Sequence, residues 1–157
     1  MKELLNNIRE LTEKEGPSGR EGEVAKVIRK NWQNYGEIHE DSLGNLSITI
    51  GKGEPHIAFV AHMDEVGFVI RKIGEDGFIS LNKLGGIPER VLAGQKLLVI
   101  GSKGLVAGVF TTWPHHLTPE SEKYKVRPIG ECWLDVGARN REEVERLGLR
   151  VGDFGVY

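Results

Sequence analysis

Ala61-His62-Met63-Asp64-Glu65 places an imidazole and two carboxylates side by side, the donor types that hold divalent cations or move protons. In an extended segment, residues i and i+2 point to the same side, so His62 and Asp64 can address one spot. Glu65 then faces away. Imidazole is a good ligand for zinc or cobalt, and a nearby carboxylate orients the ring and makes it more basic. The same pair also describes a hydrogen-bonded histidine at a strand end, and the spacing alone does not choose between them.

Other residues of these types are scattered. His115 and His116 lie in a proline-containing loop that could contact a substrate or a neighbouring subunit, or could only shape the loop. Asp135 and Asp153 are candidates on composition. His39 and His56 read as surface residues, and Glu142, Glu143 and Glu145 as the solvated face of a short helix. Gly85-Gly86 permits a tight bend, but no helix begins there to make a phosphate site. The single cysteine, Cys132, excludes an internal disulfide framework and a Cys-rich zinc site, and beside Trp133 it reads as a small apolar side chain. Any metal would be held by histidines and carboxylates.

The elements that must position these groups follow from periodicity. Leu4, Leu5, Ile8 and Leu11 recur at helical spacing, as do Val24, Val27, Ile28 and Trp32. Between them, Gly16-Pro17-Ser18-Gly19 breaks the chain. Ser18 followed by Glu21 fits a capping box and predicts a second helix starting near Arg20 and ended by Gly36. Strands are expected over 37–41, 46–50 and 57–61. Ile57 to Ala61 is continuously apolar, as a strand covered on both faces of an α/β sheet is, and His62 follows at its carboxyl end, where sites collect in such sheets.

After Asp64 the texture becomes strand after strand with Gly-rich turns, over 66–73, 78–84, 96–100, 105–112 and 133–136, which predicts a small barrel or sandwich. A short helix opens at Asn140, with Glu143 in the capping-box position, and stops at Gly148. Trp113 to Pro128 reads as one long loop. Val151 to Tyr157 reads as a turn entering another apolar strand with no polar tail after it, from which a fragment or a split gene is expected.

Composition bounds the function. The 157 residues are 39% hydrophobic and 28% charged, ordinary for a folded globular chain of one domain or two small ones. The 21 basic and 23 acidic residues are interspersed, so no basic field is available for nucleic acid. No apolar run approaches bilayer length and Met1 to Glu15 lacks the core of a signal peptide, so the expectation is a cytoplasmic protein without a membrane partner.

The chain resembles the tetrahedral aminopeptidases and their relatives, the glutamyl aminopeptidases and the proteins once labelled endoglucanases of that group. The resemblance runs in order through Gly16-Pro17-Ser18-Gly19-Arg20-Glu21, Asp41-Ser42-Leu43-Gly44-Asn45-Leu46 and Ala61 to Phe68. It continues through Leu84 to Gln95, Pro114-His115-His116-Leu117, Asp135-Val136-Gly137-Ala138, Arg141-Glu142-Glu143 and Val151-Gly152-Asp153. It implies an α/β fold class: residues 1–65 begin a phosphorylase/peptidase-like metallopeptidase domain, and residues 66–157 form an inserted small β-barrel, PDZ-like, that mediates oligomerisation.

By the same resemblance His62 is a metal ligand and Asp64 holds its imidazole. The family site implies two divalent ions, zinc or cobalt, sharing a bridging carboxylate. Further carboxylates, a second His and a general-base Glu lie beyond this stretch in the family pattern. The implied activity is removal of N-terminal residues from peptides, by an enzyme of which this chain is the first part. The implied partners are a peptide substrate and either further copies through residues 66–157 or a complementary C-terminal chain. The rival expectation is a non-catalytic fragment or split-enzyme subunit acting as an oligomerisation module.

Overall fold

A computed structural model describes residues 1–157. The chain divides into two compact units, Met1–Glu65 and Val66–Tyr157.

In the first unit the two periodic segments are helices, α1 (Lys2–Thr12) and α2 (Gly22–Trp32). They are followed by an antiparallel hairpin of β1 (Glu37–Glu40) and β2 (Leu46–Thr49), in register Ile38↔Ile48. Asp41 organises the connection between the strands. Its Oδ1 accepts from the backbone N–H groups of Leu43 and Asn45, both at 2.9 Å, and its Oδ2 accepts from Asn45 Nδ2 at 2.8 Å. An Asx-type clamp of this kind satisfies turn donors that would otherwise need water. Gly36 approaches β2 so closely that a Cβ would lie 2.5 Å from the Thr49 carbonyl oxygen, which excludes any other residue there. Helix α2 has already ended at Trp32, not at Gly36, and one turn separates the two.

Two further expectations are corrected in this unit. The capping box is not formed: α2 begins at Gly22 with Glu21 as its N-cap, and neither the Ser18 nor the Glu21 side chain bonds a helix N–H. Glu21 Oε1 instead accepts from Gly19 N at 2.7 Å, and the Ser18 hydroxyl turns elsewhere. Nor is 57–61 a strand. β2 pairs only with β1, no strand of this unit pairs with 57–61, and Phe59 and Val60 are 96% and 92% exposed. An apolar run encodes a preference for burial, and only a neighbouring strand or layer can satisfy it.

The second unit is a closed antiparallel barrel. Its strands are β3 (Gly67–Ile73), β4 (Ile79–Leu84), β5 (Lys96–Gly101), β6 (Gly104–Phe110), β7 (Trp133–Asp135) and β8 (Phe154–Val156), in the order β3-β4-β7-β6-β5-β8 and back to β3. Alternation builds the interior: Ile79 and Leu81 from β4, Leu97 and Val99 from β5, Phe110 from β6 and Leu134 from β7 are all buried. On β3 the buried set is Phe68, Ile70 and then Ile73, because a bulge between Ile70 and Lys72 shifts the register by one. Phe68 packs against Phe110 with ring centroids 5.2 Å apart. Truncating one of these aliphatic side chains to Ala costs about 2–5 kcal/mol.

Ser80 is the one polar side chain fully buried here, and Arg71 Nη2 donates to its hydroxyl at 2.8 Å. Helix α3 (Arg141–Arg146) adds Val144 to the core, and Leu149 follows it in. Its N-cap is as the sequence predicts: Asn140 Oδ1 accepts from Glu143 N at 2.9 Å. Glu143 reaches back one residue further than a capping box requires, to Arg139 N at 2.8 Å. At the other end Gly148, with φ +89°, donates to Glu145 O while Leu149 N reaches Val144 O, the paired bonds of a Schellman cap.

The segment from Trp113 to Pro128, expected as one loop, is divided into short turns of 3₁₀ helix. Two of them, His115–Leu117 and Glu120–Glu122, lie within it and a third, Ile129–Glu131, follows it, each opened by a proline: Pro114, Pro119 and Pro128. The fixed φ of proline is already that of a helix entry. The Arg127 guanidinium lies over the Trp113 ring, 4.8 Å from its centroid, and ties the two ends of the segment together.

Candidate metal site in the first unit

His62 and Asp64 meet. His62 Nδ1 lies 3.0 Å from Asp64 Oδ1 and 3.0 Å from the Asp64 carbonyl oxygen. A backbone carbonyl can only accept, so Nδ1 carries the proton and donates to both. In the neutral ring this is the Nδ1–H tautomer, which leaves the Nε2 lone pair for another partner. The imidazole is 84% exposed, so the nitrogen is accessible.

Asp64 is itself held. Its Oδ2 accepts from the Ser18 hydroxyl, so each carboxylate oxygen has a separate donor. The Ser18 hydrogen bond, and after it the bond from His62, hold the Asp64 carboxyl below the usual carboxylate range. Both bonds favour the ionised carboxylate.

Ser18 is delivered by the Gly16–Arg20 break. Arg20 N donates to Pro17 O at 2.8 Å, and Gly19 has φ +89°, the conformation required at the third position of a type II turn. The turn is pinned to the His62–Glu65 segment: Pro17 forms a parallel bridge with Glu65, and Glu65 N donates to Gly16 O at 2.8 Å. Gly16 N donates in return to Glu65 Oε1 at 2.9 Å. Glu65 thus faces away from the imidazole, as its position in an extended segment predicts, and its carboxylate fastens the turn. A Cβ on Gly16 would come 2.6 Å from Val24 Cγ2, so the close approach of the turn to α2 demands glycine. Leu11, Thr12, Val24, Ile28 and residues 62–65 line an open depression of about 280 Å³ beside His62.

The remaining candidates serve local structure. Asp135 Oδ1 accepts from Gly137 N at 2.7 Å, and Asp153 Oδ2 from Arg150 N at 2.9 Å, both closing turns of the barrel unit. His115 and His116 are exposed in their 3₁₀ turn. Cys132 packs against the barrel core, and burial pushes its thiol up. No three His, Cys, Asp or Glu side chains come together to hold a metal ion. The donor set around His62 therefore fits one imidazole ligand with its orienting carboxylate, and does not by itself make a complete metal site. Sequence reasoning missed Ser18 in this constellation. Its pattern with Glu21 imitates a helix cap, and no local signal points it 46 residues ahead to Asp64.

No helix is long and apolar enough to cross a membrane. A sequence profile of the M42 glutamyl aminopeptidases matches residues 44–157. The glutamyl aminopeptidase of Lactococcus lactis subsp. cremoris is 31% identical over 158 residues, covering 97% of this chain and 44% of its own length. The TET aminopeptidase of the marine sediment archaeon Thaumarchaeota archaeon SCGC AB-539-E09 superposes with a TM-score of 0.91 at 35% identity, over 97% of this chain and 44% of that one. The Pyrococcus horikoshii TET1 peptidase, which can assemble into a tetrahedron or a large octahedral shell, gives 0.88 at 33% identity over 98% and 46%. The chain spans less than half the length of these relatives. With most of its length matched by the family profile, and with both units reproduced in solved TET aminopeptidases, the chain belongs to the M42 glutamyl aminopeptidase family.

Proposed function

We propose that this chain is the N-terminal part of a dinuclear metal-dependent aminopeptidase that removes N-terminal residues from peptides. His62 contributes one metal ligand and Asp64 holds its ring. The observation that carries the reading is the pair of acceptors on His62 Nδ1, the Asp64 carboxylate and carbonyl oxygens, which leaves Nε2 as the free, unprotonated ligand atom of the neutral ring. Two zinc or cobalt ions, when bound, would polarise the scissile carbonyl and supply hydroxide near neutral pH. The part played by the residues present is narrower: Asp64 fixes the tautomer and orientation of His62, and Glu65 fastens the turn that braces Asp64.

The further ligands and the general base of such a site are to be supplied from outside these residues, since no three-donor cluster occurs among them. The barrel of residues 66–157 is, on this reading, the PDZ-like oligomerisation unit inserted into the peptidase domain of residues 1–65. The second reading is a non-catalytic oligomerisation module, favoured by that same lack of a three-donor cluster.

Release of aniline from an aminoacyl-anilide, with zinc or cobalt added, separates these possibilities. The 157-residue chain alone is expected to be silent. Turnover is expected when a polypeptide carrying the remaining carboxylates and histidine is added, and it should be lost with a chelator or with His62→Ala. Chelator-sensitive turnover by the chain alone would show the site to be complete. Silence in both arrangements would favour the non-catalytic module.

A further inference from the structure

We propose that Ser18 is a positioning residue for His62, acting through Asp64: its hydroxyl locks the carboxylate so that the imidazole keeps its proton on Nδ1 and presents Nε2. The inference rests on the reading of His62 as a metal ligand for its purpose, but its geometry and its test do not require a metal.

Asp64 has two oxygens and gives one to each neighbour, Oδ1 to His62 Nδ1 and Oδ2 to Ser18 Oγ. With both ends tied, the carboxylate cannot turn about its terminal torsion, which is otherwise broad for an aspartate. The imidazole stands 84% exposed, and nothing on the solvent side of the ring fixes its orientation. The restraint must come from beneath. Ser18 can supply it because its own backbone is fixed by the Pro17–Arg20 turn and by the two-way bonding of Gly16 to Glu65. Pro17, the residue before it, is fully buried. A flexible or solvated serine would trade Asp64 for water and transmit nothing to the ring.

The competing account makes Ser18 a member of the turn and no more, so that its loss loosens residues 16–21 without a directed effect on His62. The two differ in the tautomer. Long-range ¹H–¹⁵N correlation spectra of the 157-residue chain, recorded without metal at a pH where the ring is neutral, report the ratio of Nδ1–H to Nε2–H forms at His62. The unmodified chain is expected to be predominantly Nδ1–H. Ser18→Val is expected to lower the ratio about fivefold, the equivalent of one net hydrogen bond, and Ser18→Thr, which has the same shape but keeps the hydroxyl, to restore it. Packing damage is common to both variants and cancels in the comparison.

Equal ratios in folded Ser18→Thr and Ser18→Val would overturn the proposal. So would a predominance of Nε2–H in the unmodified chain, which needs no variant to fold. A normal tautomer response in a protein that never becomes an aminopeptidase would instead remove the functional reading and leave the role of Ser18 standing.

Discussion

Gly16 and Glu65 are joined in both directions, Glu65 N donating to Gly16 O at 2.8 Å and Gly16 N donating to Glu65 Oε1 at 2.9 Å. One bond uses the backbone and survives any substitution at position 65 except proline, and the other depends on the side chain. Glu65→Ala is therefore expected to destabilise the first unit by about 1 kcal/mol, the usual net worth of one hydrogen bond, and Glu65→Gln, which keeps the acceptor, by less. Amide exchange at Gly16 measures this. Protection equal to that of the unmodified chain in Glu65→Ala would show that the carboxylate contributes nothing.

Asp41 gives a pH dependence of known sign. The bond from the Asn45 side chain, and then that from the Asn45 backbone, hold its carboxyl below its ordinary value of 3.8. The folded state therefore binds the proton less readily than the unfolded state. The contribution of the clamp is fully present above the ordinary Asp range and is lost as pH falls through 3.8 and below. The hairpin of β1 and β2 should show equal amide protection at about pH 5.5 and pH 7 and lose it towards about pH 3, near and below the unperturbed Asp range. In Asp41→Asn the part of that loss due to this group should vanish. An unchanged acid profile in the variant would assign the loss to other carboxylates.

At the start of α3, Asn140→Ala removes the acceptor of the Glu143 N–H and is expected to cost about 1 kcal/mol, with Asn140→Asp close to neutral. Because Val144 and Leu149 belong to the barrel core, the loss should appear in the cooperative unfolding of that unit as a lower denaturant midpoint at constant slope. A midpoint within error of the unmodified chain would mean that the cap is replaced by water.

Phe59 and Val60 stand 96% and 92% exposed on an unpaired segment. Phe59→Ser is expected to leave the stability of the 157-residue chain within about 0.5 kcal/mol, as for other exposed sites. It should also reduce self-association, because a bare apolar run with free backbone donors is a template for pairing. Sedimentation of the variant beside the unmodified chain checks both. A large loss of stability would show that the side chain is buried in solution.

The sequence was most readable where its instructions are local. The apolar run Leu97–Ile100, set between Lys96 and Gly101, places β5 within a residue of its bounds, and Asn140 with Gly148 brackets α3. His62 and Asp64 could be paired from i and i+2 geometry before any fold was known. What could not be read depends on residues far apart. The exposure of 57–61 is decided by the absence of a partner strand, which hydrophobicity does not encode. Ser18 is diverted from α2 by a carboxylate 46 positions away. Barrel closure, as against a sandwich, turns on two short pairings of β8, with β3 and with β5, and no composition of Phe154–Val156 announces them.

Those same pairings set a timetable. Phe68 meets Gly155, and Ile100 meets Phe154, so the first strand of the barrel waits for the last before its edge is covered. On the ribosome nothing else in the unit can cover the β3 and β5 edges until Phe154–Val156 clear the exit tunnel. The unit's vulnerability to mispairing is therefore concentrated in the interval before its final strand emerges.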